Sequence, residues 1–169
     1  MEKDPRIVAQ SAKELEEENW SFHNFIKHSF RLNHSRVDAV AKRYGEAAEK
    51  EMDCTTCGAC CRVNTIPVDE KDVKRLAKHL KLSQDQFYKQ YITENEFGET
   101  AIDTAPCPFL EGNLCSVYDA RPDVCRKYPY IGGNIRTRSL AILERASTCP
   151  IVFEMLEQLK KHLNFHQYR

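Results

Sequence analysis

The sequence predicts a mainly α-helical protein with irregular loops and a small β-hairpin, folded as a compact α+β single domain. Apolar residues recur every three or four positions in several segments, which is the period of an amphipathic helix. Capping residues stand just before these segments. A central stretch that contains several glycines and prolines lacks this helical period. With 169 residues, 41% of them hydrophobic, the chain can bury one modest core.

Residues 1–50 are predicted to form a helical N-terminal segment with two helices. The second covers the apolar positions from Val37 to Ala48 and is expected to begin near Asn33 or Ser35. The first carries an apolar stripe that we expect to pack against the rest of the protein. That stripe consists of Trp20, Phe22, Phe25, Ile26 and Phe30.

Residues 51–169 are predicted to form the second part of the chain, and three helices are expected in it. Asp69 is a suitable N-cap for a helix with Val73 and Leu80 on its apolar face. Ser83 and Gln86 have the spacing of a capping box. The last helix is expected to open at Cys149-Pro150, because proline favours the first helical turn.

Loops and short strands are predicted between these helices. Residues 113–118 alternate like a strand that follows a turn. A single helical turn is expected between Pro122 and Pro129, and Gly132-Gly133-Asn134 is predicted to form the tip of a hairpin.

The charge balance argues against a nucleic-acid partner. Lys and Arg number 25 and so do Asp and Glu, whereas nucleic-acid binders usually have a basic excess. The Arg/Lys-rich segment 121–138 is available for an anionic substrate or an unidentified protein partner. No apolar run approaches the roughly 20 residues that span a membrane. The first ten residues lack the hydrophobic region of a secretory signal, so we expect a cytoplasmic protein.

Eight cysteines are many for a protein of a reducing compartment, where disulfides do not persist. Clustered cysteines there bind metal or do redox chemistry. Pairs separated by two residues let two thiolates converge on one ion, and Gly58 supports the required turn. The first three cysteines also have the spacing that holds an iron–sulfur cube. The candidate metal ligands are Cys54, Cys57, Cys60, Cys61, Cys107, Cys115, Cys125 and Cys149.

Adjacent Cys60 and Cys61 are expected to point in different directions, so that they serve two metals or bridge a binuclear site. Eight thiolates suffice for two four-thiolate centres of zinc or of an iron–sulfur cluster. Such centres carry negative charge, and nearby cations are candidate compensators. These cations are Arg62, Arg121, Arg126 and Lys127.

The sequence contains the stretch CTTCGACCRV at residues 54–63 and the stretch CPFLEGNLCSVYDARPDVCRKYP at residues 107–129, and Cys149 follows them. Together they resemble the YkgJ-type cysteine-cluster family. The resemblance implies a zinc- or iron-chelating domain with the motif C-x-x-C-x-x-C-C, and it implicates the seven cysteines from Cys54 to Cys125 together with Cys149. A similar cluster occurs in flagellin lysine N-methylases.

Three functions remain open from the sequence. The first is a metal-binding protein that holds zinc or iron, including an iron–sulfur cluster, and whose modest core is stabilised by the metal. The second is an enzyme or electron-transfer protein that uses the centre, such as a methylation-related protein-modifying activity. The third is a thiol–disulfide redox protein. The sequence leaves open whether the protein is an enzyme.

Overall fold

The computed structural model of the protein describes residues 1–94 and 97–165. Nine α-helices lie within them: α1 (Pro5–Glu14), α2 (Glu16–His28), α3 (His34–Glu51), α4 (Cys54–Cys57), α5 (Glu70–Leu80), α6 (Gln84–Tyr91), α7 (Asp123–Lys127), α8 (Ile135–Ala146) and α9 (Pro150–His162). The short strands described are β1 (Ile66–Pro67), β2 (Thr93–Glu94), β3 (Thr100–Ile102), β4 (Leu110–Glu111) and β5 (Leu114–Cys115). The predicted class, mainly α with a small β-hairpin, is confirmed.

The chain divides into two compact units. The helical unit consists of Met1–Asp53 and Pro129–Arg169, and the cysteine unit consists of Cys54–Tyr128. The domain boundary predicted from the sequence, between residues 50 and 51, remains a prediction. None of the helices in the described residues is both long and apolar enough to cross a membrane.

In the helical unit, α3 packs along α9, and α2 packs against α8. Phe22, Ile26 and Leu156 are among the side chains that these contacts bury. Lys160 on α9 is 3% exposed, and its Nζ donates to Glu18 Oε1 at 2.9 Å and to Glu157 Oε1 at 2.7 Å. A buried ammonium requires such partners, because its unpaired charge would be costly in the core.

The N-terminal segment contains three helices within the described residues, and the prediction of two was wrong. Asp4 begins the additional helix, because its side chain accepts a hydrogen bond from Arg6 N and Pro5 occupies the first helical position. The predicted packing was also wrong for two aromatic residues. Trp20 is 47% exposed, and Phe30, which lies beyond the end of α2, is 98% exposed.

The start of α3 is confirmed, because the Asn33 side chain accepts a hydrogen bond from Arg36 N. The hairpin predicted around Gly132-Gly133-Asn134 is wrong. Asn134 is instead the N-cap of α8, and its Oδ1 accepts from Thr137 N at 3.0 Å. Thus a glycine-rich turn leads into a helix that the hydrophobic period did not reveal.

The caps predicted for the cysteine unit are confirmed. The Asp69 side chain accepts from Asp72 N at the start of α5, and Ser83 and Gln86 form the capping box of α6. β4 and β5 form the hairpin, with Leu110 opposite Cys115. The antiparallel sheet of β1, β3 and β2, in that order, was not predicted.

The core of the cysteine unit is aromatic and aliphatic. The ring centroid of Phe109 lies 4.9 Å from that of Tyr91 and 6.4 Å from that of Phe87. Leu76 and Ile102 are fully buried beside them in the same cluster. Helices α5 and α6 and the three-stranded sheet therefore form the core against which the cysteine-bearing loops pack.

Candidate metal centre

The first cysteines lie on two short turns joined by a glycine. Cys54 and Cys57 are the ends of α4, and a 3-10 turn follows at Cys60–Arg62. Gly58 between them has φ +63°, and a Cβ there would lie 2.7 Å from Arg62 Nη1 and 3.2 Å from Asn113 Cα. Glycine thus allows both the left-handed backbone and the close approach of the hairpin turn.

Arg62 links this turn to the β4–β5 hairpin. Its Nη1 donates to Cys57 O at 3.2 Å, and its Nη2 donates to Gly112 O at 2.8 Å and to Asn113 Oδ1 at 2.6 Å. The guanidinium group therefore holds segments about fifty residues apart in the chain at a fixed spacing.

The hairpin brings two further cysteines to the first group. Cys107 N donates to Cys61 O at 2.7 Å, and Leu110 N donates to Cys107 O at 3.0 Å. Cys115 lies on β5. The next residue, Ser116, extends the pairing of β5 with β4, because its backbone N donates to Phe109 O at 2.9 Å. Backbone hydrogen bonds thus fix Cys107 and Cys115 near Cys61.

Cys125 lies on α7, and α5 holds the beginning of that helix. The buried Asp72 carboxylate accepts from Asp123 N at 3.1 Å and from the guanidinium group of Arg75. Arg75 Nη2 also donates to Asp123 Oδ1 at 2.9 Å and to Arg121 O at 3.0 Å. Sequence reasoning missed Asp72 and Arg75. Their opposite charges three residues apart indicate an ion pair, but nothing local indicates the contact with Asp123.

Four thiols act on one another electrostatically: those of Cys61, Cys107, Cys115 and Cys125, here called the four-thiol group. Burial raises the pKa of Cys107 and of Cys115. Burial, reinforced by the other three thiols, raises the pKa of Cys125 to about 12. The Cys61 pKa is lowered to about 7, chiefly because the Cys60 side chain hydrogen-bonds to it, with help from the Arg62 and Arg121 charges.

The chemistry of the four-thiol group fits a thiophilic cation. Burial disfavours thiolate formation, and a bound cation would supply the charge that stabilises thiolates there. Within the described parts of the chain, no three or more His, Cys, Asp or Glu side chains are already arranged to hold a metal ion. The donor type of the four-thiol group therefore fits a thiophilic cation.

Two of the predicted charge compensators differ in what they contact. The Arg121 guanidinium carbon lies 3.8 Å from the centroid of the Tyr118 ring, and its charge lowers the pKa of Cys61, Cys115 and Cys125 against the effect of burial. Arg126 instead donates from Nε to Arg121 O at 3.1 Å and also to Asp119 O. Arg126 therefore supports the backbone of the loop.

The other predicted ligands have different surroundings. Cys54 is exposed and Cys57 is half-buried on α4, whereas Cys60 contacts Cys61 through its side chain. Cys149 is 7% exposed and belongs to the helical unit, where it is the N-cap of α9 and its backbone N donates to Arg145 O at 2.7 Å. Seven of the eight predicted ligands thus lie in one unit.

Comparison with known proteins bears on this arrangement. The model of the CxxCxxCC family, described as "Putative zinc- or iron-chelating domain", matches residues 53–150. The uncharacterized protein MJ0661 of Methanocaldococcus jannaschii is 35% identical over 81 residues, which cover 46% of this chain and 43% of that protein. The chain thus aligns with less than half the length of this relative. No solved structure gives a significant match. Because the family model covers more than half of the sequence, including all eight cysteines, the chain belongs to the CxxCxxCC family.

Proposed function

We propose that the protein binds zinc or iron through cysteine thiolates and that the four-thiol group supplies the ligands of the centre. The observation that carries this proposal is the position of Cys107, Cys115 and Cys125 near Cys61. The Cys61 carbonyl oxygen accepts from Cys107 N at 2.7 Å, and burial, reinforced by the Cys61 charge, raises the pKa of all three thiols. The family's description as a zinc- or iron-chelating domain supports it. Cys54, Cys57, Cys60 and Cys149 remain proposed metal ligands.

Metal binding would also stabilise the cysteine unit. The 3-10 turn, the hairpin and α7 are held by a few hydrogen bonds and by the Arg62 and Arg75 side chains. A metal that joins Cys61, Cys115 and Cys125 would cross-link these segments directly. Folding and metal binding are therefore expected to be coupled, as in other small thiolate sites.

Zinc and iron are both compatible with thiolate ligands, and the spacing of Cys54, Cys57 and Cys60 supports an iron–sulfur cluster as the finer alternative. Protein purified without oxygen separates them by elemental analysis and a visible spectrum. A coloured protein containing iron and inorganic sulfide would support an electron-transfer or enzymatic role. A colourless protein with stoichiometric zinc would contradict an electron-transfer role, because zinc has no redox chemistry.

Ligand substitutions test the four-thiol group. We expect Cys107→Ser and Cys125→Ser each to lower the metal content, because an alcohol is a poor replacement for a thiolate ligand. Val124→Ala is a matched control, since it shortens a half-buried side chain of α7 and leaves every thiol in place. Wild-type metal content in both serine variants would refute the proposed ligand set.

A further inference from the structure

Arg121 carries a polar atom with an unusual environment. Its Nε is buried and has no hydrogen-bond partner among the described residues, although the guanidinium group stacks on the Tyr118 ring at 3.8 Å. A buried charged donor without an acceptor is unfavourable, and native proteins contain few of them. The side chain therefore has an unused donor in a position fixed by the tyrosine.

The backbone of Arg121 is fixed as well. Its carbonyl oxygen accepts from Arg75 Nη2 at 3.0 Å and from Arg126 Nε at 3.1 Å, and its N donates to Tyr118 O at 3.4 Å. Pro122 follows directly and restricts the conformation of the preceding residue. Arg75 and Arg126 thus hold the main chain at Arg121.

The charge of Arg121 acts on three members of the four-thiol group, namely Cys61, Cys115 and Cys125. Other nearby arginines use their donors elsewhere. Arg62 donates to two carbonyl groups and an amide oxygen, and Arg126 donates to carbonyl oxygens. Among the described residues, Arg121 thus combines an unused donor with a charge that acts on three of the thiols.

We propose that Arg121 is a positioning residue for the metal-bound thiolates, with its Nε–H donating to a thiolate sulfur and its charge offsetting part of the charge of the centre. This inference rests on the proposed function. Four thiolates around a divalent ion leave two negative charges, and one guanidinium group offsets one of them. Metal binding turns the weakly accepting thiols into thiolates and so supplies the acceptor that Nε lacks.

Cobalt(II) titration of the full chain tests the proposal, because the thiolate-to-cobalt charge-transfer band reports on hydrogen bonds to sulfur. We expect Arg121→Gln to weaken cobalt binding about tenfold to a hundredfold, the usual effect of losing a partner of a metal ligand. The charge-transfer band should shift at the same time. Arg121→Lys should recover part of the affinity through its charge, without restoring the band.

Arg126→Gln is the matched control, because Arg126 donates to backbone carbonyls of the same loop. We expect a smaller loss of cobalt affinity than in Arg121→Gln and an unchanged band in this variant, because Arg126 holds the backbone of the loop. The melting temperature of metal-free Arg121→Gln should fall only slightly, since the variant loses the stacking on Tyr118 but its buried Nε has no hydrogen-bond partner to lose among the described residues. Should Arg121→Gln fold poorly, the band position of Arg121→Lys still decides the question.

Wild-type affinity and band energy in Arg121→Gln would overturn the role of Arg121 and leave the proposed function intact. Equal loss of affinity in Arg121→Gln and Arg126→Gln, with no shift of the band, would assign both residues to loop structure and overturn the proposal. A wild-type protein that binds none of cobalt, zinc and iron would instead refute the proposed function itself, and this inference with it.

Discussion

Gly58 and Gly112 have the same backbone conformation in different surroundings. Both have φ +63°, which a residue with a side chain rarely adopts. A Cβ at Gly58 would meet Arg62 and Asn113, whereas a Cβ at Gly112 would have no atom within 4 Å. The two positions therefore separate the conformational requirement for glycine from the steric one.

We predict that Gly112→Ala destabilises the protein by about 1 kcal/mol, the conformational cost alone. Gly58→Ala should cost more, because the added methyl group also displaces Arg62 from the hairpin turn. Denaturant unfolding of both variants, with metal present at the same concentration, measures the difference. Equal destabilisation would show that the contact between the cysteine turn and the hairpin turn contributes little.

The raised thiol pKa values give metal binding a defined pH dependence. At neutral pH the thiols of Cys107, Cys115 and Cys125 carry protons in the metal-free protein, because burial raises each pKa. Binding must release these protons, so affinity should fall as the pH falls and rise as the pH rises. Below about pH 7 the slope should steepen, because Cys61 is then also protonated.

Cobalt affinity measured across this pH range, with proton release followed by an indicator dye, checks the prediction. The slope of the logarithm of the affinity against pH gives the number of protons released per ion. An affinity independent of pH would contradict thiol ligation by this group.

At the level of elements, the connection between α5 and α7 depends on one buried carboxylate and one arginine. Asp72 is 3% exposed, and Arg75 is its ion-pair partner. Without Arg75, the Asp72 charge keeps a hydrogen bond from Asp123 N but loses its counter-ion. Since Cys125 follows on α7, this pair also determines where one proposed ligand lies.

We predict that Arg75→Leu lowers the free energy of unfolding by about 1–3 kcal/mol, because it leaves a buried acceptor poorly satisfied. It should also weaken metal binding. Arg6→Leu is the control, since the Arg6–Asp4 pair is an ion pair with an exposed arginine and should contribute almost nothing. Equal stability of the two variants would show that the buried pair does not hold α7.

Sequence patterns identified the elements whose signals are local. Asn33, Asp69 and Ser83 were recognised as caps because a cap needs only the next three residues. Helix α8 was missed because the two glycines before Asn134 favour a hairpin tip as readily as a helix start. The three-stranded sheet was missed because strands of two or three residues are too short to show alternation.

The sequence offered candidate ligands but no grouping of them. Spacing marks Cys54, Cys57 and Cys60, because metal-binding turns are local, whereas the later cysteines were candidates by residue type and by the family resemblance. Which thiols meet depends on hydrogen bonds between distant segments, such as Cys107 N to Cys61 O and Arg75 to Asp123. Such pairings follow from the tertiary fold, so the sequence could not assign them.

At the scale of the whole molecule, the predicted ligands are concentrated in one unit. The four-thiol group lies entirely in the cysteine unit, while the helical unit has its own buried core of residues such as Phe22, Ile26 and Leu159. Metal should therefore contribute unequally to the stability of the two units.

We predict that a chelator which removes the metal increases amide hydrogen exchange in α5, α6 and the β4–β5 hairpin far more than in α3 and α9. Hydrogen exchange read by mass spectrometry, with and without chelator, measures this. A uniform increase along the chain would mean that the metal stabilises both units alike. No increase anywhere would mean that the fold does not depend on metal.

The helical unit is assembled from both ends of the chain, with the entire cysteine unit between them. During synthesis the first three helices and all of the cysteine unit are therefore made before α8 and α9. At roughly 5–20 residues per second, the remaining segment takes a few seconds to appear. Throughout that interval the helical unit lacks two of its helices, whereas the whole four-thiol group has already been synthesised. These four proposed ligands are thus complete in the nascent chain before the helical core can form.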